Sequence, residues 1–176
     1  MQNNISQPPK PTCEPVKSYR PGSVERKNLI KEYQKAINKI TEIPMFINGK
    51  NVKSKKIKNI TPPHNHKKII GKYFEGNSEH INYAIKSALN AKSEWEETSW
   101  EDRASIFLKA AELLAGPYRD KINAATMIGQ SKNIYQAEID AACELIDFLR
   151  FNPHYMSNIY KEQPLSPEGM KNSLQY

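Results

Sequence analysis

The chain has 176 residues, of which 38% are hydrophobic and 26% charged, and its net charge is +7 at neutral pH. This length suits one ordinary domain or a piece of a larger protein, and the composition is that of a globular chain with a modest core. No apolar run reaches the length of a membrane-spanning helix, the first residues lack the apolar segment of a signal peptide, and two cysteines are too few for a disulfide framework or a metal cluster. We therefore expect a cytoplasmic protein with no membrane partner.

The positive charge is spread along the chain. Its densest part, from Lys50 to Lys58, alternates lysines with Val52 and Ile57, as the solvent-facing side of a hairpin does. Aromatic residues do not interleave with these lysines, which favours a solvated surface over a phosphate-binding track. We expect no specific nucleic-acid partner.

The first predicted segment is a proline-rich arm, residues 1–22, which should be extended and either wrap across another surface or hang loose. Its prolines are Pro8, Pro9, Pro11, Pro15 and Pro21. Ser23 is a candidate N-cap for an amphipathic helix whose apolar residues recur at helical spacing as far as Ile40. Pro44 should end that helix.

A short β-unit is predicted next. Asn48-Gly49 is the pair that favours a tight hairpin turn. Two more strands are expected on either side of the Pro62-Pro63 break, from the apolar residues Ile57, Ile60, Ile69, Ile70, Tyr73 and Phe74.

From Asn77 onward the pattern is helical. Ser78 should cap a first helix, and a second should run from Trp100 to Ala115. The residues expected to be buried in this second helix are Ile106, Phe107, Ala110, Leu113 and Leu114.

Two further helices are expected after Gly116-Pro117. The first should end near Ile128, and the second and longest should run from about Asn133 to Tyr160, with Pro153 kinking or dividing it. The final residues, "NSLQY", have the character of a strand that begins at the end of the sequence. Together these elements predict an α+β chain, mostly helical, with hairpins near its N-terminus.

Three polar motifs suggest chemistry, but each has a simpler reading. His64 and His66 lack nearby carboxylates or cysteines that would complete a metal site. The turn around Ser131 lacks the glycine spacing of a phosphate-binding loop. Cys143 and Glu144 diverge by about 100° on a helix, so they do not form a nucleophile and its base. Cys143 is expected to be a small buried packing residue.

Glu144 is the main candidate for function. At helical spacing it shares a stripe with Ala137 and Ala141 on one side, and with Phe148 and Phe151 on the other. Small residues allow close approach, and aromatic residues exclude water from the carboxylate. Such a group is either paired with a buried cation or directed into a cavity, because an unpaired buried charge is costly.

The segments "DRASIFLKAAELLAGP" and "AEIDAACELIDFLRFN", with the upstream "IPMFINGK" and "PHNHKKIIG", resemble the N-terminal region of the 1-pyrroline-5-carboxylate dehydrogenases. These enzymes, also called L-glutamate γ-semialdehyde dehydrogenases, are a branch of the aldehyde dehydrogenase superfamily. The resemblance extends from about Glu14 to Tyr176. It implies an α/β family fold of which this chain is about the first third.

The resemblance implies NAD-dependent oxidation of glutamate semialdehyde to glutamate in proline breakdown. A cysteine thiolate attacks the aldehyde, hydride passes to NAD, and a base activates water. The nucleophile, the base and the cofactor-binding strands would all lie beyond this chain, so we expect no catalytic, cofactor-binding or metal residue in it. Cys143 is not the family nucleophile. A small-molecule substrate and a homo-oligomer are expected only for a full-length protein.

Glu144 matches a family position at which a helical glutamate reaches the aldehyde site and restricts which aldehydes fit. Ser131 departs from the glycine that relatives commonly have in "GQGK", and Cys143 departs from a small residue such as alanine. The departure at Ser131 affects the shape of the turn, and the departure at Cys143 affects the packing beside Glu144.

The resemblance also implies a domain organisation. Residues 23–160 would form the N-terminal part of the cofactor domain, and residues 161–176 would begin the oligomerisation hairpin. The alternative is a non-catalytic interaction module that docks on a full-length homologue, or a basic binder of nucleic acid.

Overall fold

The computed structural model describes residues 7–176, so the start of the predicted arm, residues 1–6, lies outside the described residues. Residues 7–22 have no regular secondary structure. The elements that follow are α1 (Val24–Ile37), β1 (Thr41–Ile43), β2 (Met45–Ile47), β3 (Lys50–Val52), β4 (Ile57–Ile60), β5 (Gly71–Phe74), α2 (Ser78–Glu97), α3 (Trp100–Ala115), α4 (Arg119–Gln130), α5 (Ile134–Ala137), a π-helical turn (Glu138–Cys143) and α6 (Glu144–Lys161).

Ser23 caps α1 as predicted, because its hydroxyl accepts a hydrogen bond from the backbone N–H of Arg26 at 3.3 Å. The predicted extension of this helix to Ile40 is wrong. The chain leaves the helix after Ile37 and forms β1, whose residues pair with β5. Ladder hydrogen bonds to a distant strand outweigh the local helical periodicity here.

The strands form two small sheets. In the larger sheet the order is β1-β5-β4, with β1 parallel and β4 antiparallel to β5. The predicted hairpin is confirmed in the smaller sheet, where β2 and β3 pair antiparallel. Its turn residues Asn48 and Gly49 have φ values of 53° and 71°, the left-handed conformations that such a tight turn requires.

The N-terminus of α2 differs from the prediction by one residue. Asn77, rather than Ser78, is the N-cap: its side chain accepts from the His80 N–H at 3.1 Å, and His80 Nδ1 accepts from the Asn77 N–H at 3.2 Å. This reciprocal pair satisfies donors that the first helical turn leaves free.

The bounds of α3 are as predicted, but the expected burial is largely wrong. Ile106, Phe107 and Leu113 are exposed, whereas Ala104 and Ala111 are buried. Ala110 and Leu114 are half-buried, and Leu114 packs against a core cluster. The helix α3 packs on α6. Ala111 packs there against Ala142 and Ile146, a contact that a small side chain allows at close range.

The predicted long helix is not divided at Pro153, since α6 continues through that residue. The departure from α geometry lies earlier, in the π-turn. There the N–H of Glu144 bonds to the carbonyl of Ile139, five residues back.

The π-turn decides which residues face the core. The extra residue of the π-turn rotates the side-chain directions of all later residues of the helix back by about 100°, relative to an uninterrupted α-helix. Ala137, Glu138 and Ile146 are consequently all buried on one side. The predicted stripe that joins Ala137 to Glu144 is therefore wrong, because Ala137 is buried and Glu144 is exposed.

Among the described residues, the buried core includes two small clusters. One brings together Tyr19, Leu29 and Ala124, and the other Ala111, Ala142 and Ile146. Residues 162–176 contain no strand, contrary to the prediction for the final residues. None of the described helices is long and apolar enough to cross a membrane.

Candidate functional site

Glu144 begins α6 on the side of that helix that faces away from the core. It shares this side with Phe148 and Tyr155, which are 59% and 55% exposed, and with the half-buried Phe151. Spacings of three and four residues place these side chains in one stripe. The predicted grouping of Glu144 with Phe148 and Phe151 thus corresponds to one face of α6. The alternative of a buried ion pair is wrong for Glu144, since its side chain is exposed.

An apolar groove of about 440 Å³ adjoins this stripe, between α3 and α6. Phe148 belongs to both features. The lining is almost wholly apolar and consists of Phe107, Leu145, Phe148, Leu149, Asn152, Pro153 and Met156. Glu144 does not line the groove, but it lies one helical turn before Phe148, which does. A carboxylate is therefore near an apolar concave surface of the kind that binds small molecules.

Within residues 7–176, the buried carboxylate is that of Glu138, the first residue of the π-turn. It is fully buried and forms an ion pair with the equally buried Arg119 of α4. Glu138 also accepts hydrogen bonds from the Tyr19 hydroxyl and from Asn123 Nδ2, both at 2.7 Å. The carboxylate is thus well satisfied, as a buried charge must be.

The arm supplies part of this buried network, so the wrapping alternative is the correct one for residues 14–19. The Lys17 N–H donates to Glu138 at 2.8 Å, and Arg119 donates to the Pro15 carbonyl at 2.8 Å. Glu14 pairs with Arg119 and with Arg150 of α6. The arm thereby connects α4, the π-turn and α6 through charged contacts.

Burial and charge shift the pKa values in this network. Burial alone would raise the pKa of Glu138, but hydrogen bonds from Arg119, Lys17 and Tyr19 outweigh it and lower the pKa below its usual range. Burial and the adjacent Glu138 carboxylate raise the pKa of Tyr19.

Cys143 lies at the other end of the π-turn and is buried, as predicted. Its Sγ is 3.5 Å from the Arg119 guanidinium and 3.9 Å from Glu138 Oε1. Burial, followed by the Glu138 charge, raises the pKa of the thiol to about 11. A nucleophilic cysteine needs exposure and a low pKa, so Cys143 is a packing residue.

His64 is exposed and hydrogen-bonds the hydroxyl of Ser131 through Nδ1, at 2.7 Å. Ser131 is the C-cap of α4 and has a left-handed conformation with φ 56° and ψ 29°. Glycine adopts this conformation without steric cost, whereas a serine there is strained. Within residues 7–176, no three or more side chains of His, Cys, Asp and Glu are grouped as metal ligands.

NAD would need a glycine-rich turn between a strand and a helix N-terminus. The junction of β5 and α2 has one glycine, Gly76, and a Cβ there would lie 3.1 Å from Met45 Sδ. The N-terminus of α2 is already capped by Asn77. This junction therefore lacks the glycine-rich turn that a dinucleotide needs.

The sequence reading missed Glu138 and Arg119. The signal that could have identified Glu138 is its position among Ala137, Ala141 and Ala142, small residues that admit a partner side chain. Arg119 carried no local signal, because it lies 19 residues from Glu138 in the sequence.

Residues 49–176 match the model of the aldehyde dehydrogenase family. The probable delta-1-pyrroline-5-carboxylate dehydrogenase of Schizosaccharomyces pombe is 45% identical over 167 residues, which are 93% of this chain and 30% of that protein. The mitochondrial delta-1-pyrroline-5-carboxylate dehydrogenase of Homo sapiens is 40% identical over 163 residues, covering 93% of this chain and 29% of that protein. The chain thus spans about 30% of the length of these relatives.

Among solved structures, the Delta-pyrroline-5-carboxylate dehydrogenase of Mycobacterium tuberculosis bound with NAD superposes with a TM-score of 0.92 and 42% identity. The superposition covers 95% of this chain and 31% of that chain. The fold expected from the sequence resemblance is confirmed. Because the family model matches well over half of the chain, the chain belongs to the aldehyde dehydrogenase family.

Proposed function

We propose that the chain forms part of an NAD-dependent 1-pyrroline-5-carboxylate dehydrogenase that oxidises L-glutamate γ-semialdehyde to L-glutamate in proline breakdown. The observation that carries this proposal is the superposition at a TM-score of 0.92 and 42% identity on an enzyme of that name crystallised with NAD. The reaction belongs to the whole protein. This chain supplies one wall of the substrate pocket.

Glu144 is the residue that contributes to this wall. Its position is one helical turn before the exposed Phe148, which lines the apolar groove. A carboxylate accepts hydrogen bonds from an ammonium group and repels another carboxylate, so it discriminates among charged aldehydes. The aromatic neighbours restrict the bulk that fits. Glu144 is thus a specificity residue and takes no part in the bond-making step.

NAD, when bound, accepts hydride from the substrate. We place its site, the catalytic cysteine and the general base in the part of the enzyme that this chain does not span. Cys143 cannot replace the missing thiolate, because its thiol is buried and its pKa is raised to about 11. The purified 176-residue chain should therefore form no NADH from glutamate semialdehyde above a blank, and should bind NAD negligibly. Measurable turnover by the chain alone would contradict this assignment.

The experiment that tests Glu144 uses a chimera in which this chain replaces the matching region of the Schizosaccharomyces pombe relative. In that enzyme Glu144→Ala should change the KM and the relative kcat/KM values across aldehydes of different charge and bulk, with little effect on cofactor affinity. Thermal unfolding should be nearly unchanged, because an exposed side chain is removed.

The matched control is Asp140→Ala, which removes another exposed carboxylate four residues before Glu144. This substitution leaves the aromatic stripe unchanged. It should leave aldehyde selectivity unaltered. A Glu144→Ala enzyme with wild-type selectivity and a large loss of stability would show that Glu144 is a structural residue instead.

A binder of nucleic acid is less consistent with the surface. Some lysines of the basic segment are already paired, among them Lys56 with Glu75 at 2.5 Å and Lys58 with the same carboxylate at 3.7 Å. Such pairing reduces the charge available to phosphates. A sequence-selective nucleic-acid complex that persists at physiological salt would favour this alternative.

The proposed compartment is the cytoplasm, and the proposed assembly of the whole enzyme is a homo-oligomer. Both cysteines are free thiols, which fits a reducing compartment. The human relative is named as mitochondrial. Imaging a tagged gene product with a mitochondrial marker would decide between the two compartments.

A further inference from the structure

The arm contacts the long helical run at both ends of the π-turn. At the start of the turn, the Lys17 N–H donates to the Glu138 carboxylate at 2.8 Å. Beyond the turn, the Glu14 N–H donates to Asp147 Oδ1 at 2.7 Å, and the Glu14 carboxylate pairs with Arg150 at 2.6 Å. Glu14 and Lys17 are close in sequence, so no more than about 11 Å of chain bridges the π-turn.

The geometry of these contacts depends on the π-turn. In an uninterrupted α-helix successive residues are rotated by about 100°, so Asp147 would lie about 180° around the helix from Glu138, and Arg150 about 120° from it. The extra residue of the π-turn reduces these two angles to about 80° and 20°. The same short piece of the arm can therefore reach Glu138, Asp147 and Arg150 together, whereas two of these residues would lie on opposite sides of a regular α-helix.

The contacts of the arm are largely withdrawn from water. Glu138 is fully buried, and the side chain of Glu14 is only 10% exposed. Both carboxylates pair with the buried Arg119, so one guanidinium joins the arm to the π-turn. A buried charge that loses its partner is strongly destabilising. These contacts therefore oppose any rotation of α6 relative to Glu138, and with it the relaxation of the π-turn to regular α geometry.

Glu144 is the first residue after the π-turn. Its N–H bonds to the carbonyl of Ile139, which is the hydrogen bond that distinguishes the turn from an α-helix. Relaxation of the turn would rotate Glu144 by about 100° relative to Glu138, and Phe148 and Tyr155 of the same stripe would rotate with it. The turn thus decides in which direction the stripe faces.

We propose that Glu14 is a positioning residue: through Asp147 and Arg150 it holds the π-turn in place and so fixes the direction of Glu144. Glu14 takes no part in the chemical step and influences aldehyde selectivity only through Glu144. This inference rests on the proposed function, in which Glu144 restricts the aldehydes that bind.

The first experiment tests the π-turn in the 176-residue chain without an enzymatic readout. NMR detects the scalar coupling between the nitrogen of Glu144 and the carbonyl carbon of Ile139 across their hydrogen bond. Glu14→Ala should abolish this coupling, because α6 loses its contacts with the arm. Asp140→Ala is the matched control and should retain the coupling, since it removes an exposed carboxylate within the same turn. Retention of the coupling in Glu14→Ala would overturn the proposal.

The second experiment tests the link to Glu144 in the chimera with the Schizosaccharomyces pombe relative. Glu14→Ala should change the ratio of kcat/KM values for two aldehydes of different charge by about tenfold, because a small displacement within a site has a large effect on rate. The same substitution in a Glu144→Ala background should change this ratio no further, because its effect passes through Glu144. Equal changes in the two backgrounds would overturn the proposal.

Two further outcomes are also decisive. If Glu14→Ala does not fold, Glu14→Gln replaces it in both experiments, since the amide keeps an acceptor oxygen but removes the charge that pairs with the two arginines. An unchanged coupling in that variant would overturn the proposal. If the coupling is lost while Glu144→Ala itself leaves aldehyde selectivity unchanged, the positioning by Glu14 is upheld and the proposed role of Glu144 is contradicted.

Discussion

Replacing Glu138 with alanine removes the carboxylate that joins the arm, α4 and the π-turn. The side chain is fully buried and accepts hydrogen bonds at 2.7 Å from Tyr19 and Asn123 and at 2.8 Å from the backbone of Lys17. After the substitution Arg119 remains buried with only Glu14 as its carboxylate partner. Breaking a buried ion pair by removing one partner costs about 3 to 5 kcal/mol. That is a large part of the roughly 5 to 15 kcal/mol by which a domain is stable.

Urea unfolding followed by circular dichroism measures this loss. Glu138→Gln keeps an acceptor and a similar volume, so it should cost less, about 1 to 3 kcal/mol, and provides a measurable variant if Glu138→Ala does not fold. Asp140→Ala is the matched control from the same π-turn. Asp140 is 44% exposed and pairs with Lys132 at 2.6 Å, and loss of such a surface pair should cost less than about 1 kcal/mol.

A double variant tests whether the stability loss of Glu138→Ala comes from the unpaired charge of Arg119. Arg119→Met with Glu138→Leu removes both charges, and the pair should be more stable than Glu138→Ala alone, because no buried ion is left without its partner. If Glu138→Ala is no more destabilising than Asp140→Ala, the buried pair does not stabilise the fold and the reasoning is refuted.

Three further predictions concern the Cys143 thiol, the pH dependence of Glu138 and the C-cap of α4. At pH 8 a disulfide reagent should react rapidly with the exposed Cys13 of the native protein. It should react with Cys143 only after unfolding, because burial raises the pKa of the Cys143 thiol to about 11. Rapid reaction of two thiols in the native protein would contradict this prediction. The pKa of Glu138 is lowered in the folded chain, so its stabilising effect is present above the ordinary value of 4.5 and should be lost as the pH falls below it. Urea titrations should show this loss, and an identical acid dependence in Glu138→Gln would exclude Glu138 as its source. Ser131→Gly should raise the free energy of unfolding by about 1 kcal/mol, because glycine adopts the left-handed φ of 56° without steric cost. Ser131→Ala should not raise it. Equal free energies of unfolding for the two variants would contradict the inference that the backbone of Ser131 is strained.

Much of the local structure was predictable because its causes are local. The cap at Ser23, the hairpin turn at Asn48-Gly49 and the bounds of α3 each depend on residues within one turn or one strand. The family was predictable because whole segments resemble it. The start of α2 was misassigned by one residue, since Asn77 and Ser78 are both good caps and only the hydrogen bonds distinguish them.

The tertiary structure decided what is buried. Periodicity placed Ile106 and Phe107 in the core, yet Ala104 and Ala111 occupy it, because close helix packing selects small residues at the contact.

Helical periodicity also failed to predict which of the two glutamates of the long helical run, Glu138 and Glu144, is buried. An α-helical count could not include the extra residue of the π-turn, so Glu144 was aligned with Ala137, and Glu138 was overlooked. The pairing of Glu138 with Arg119, and of Arg119 with Glu14, spans 19 and 105 residues of sequence. The sequence by itself determined the elements and the family, because short-range hydrogen bonding and long matching segments carry that information. Only the folded chain could decide which carboxylate is buried and which faces outward, since a charge is buried only where distant residues converge to satisfy it.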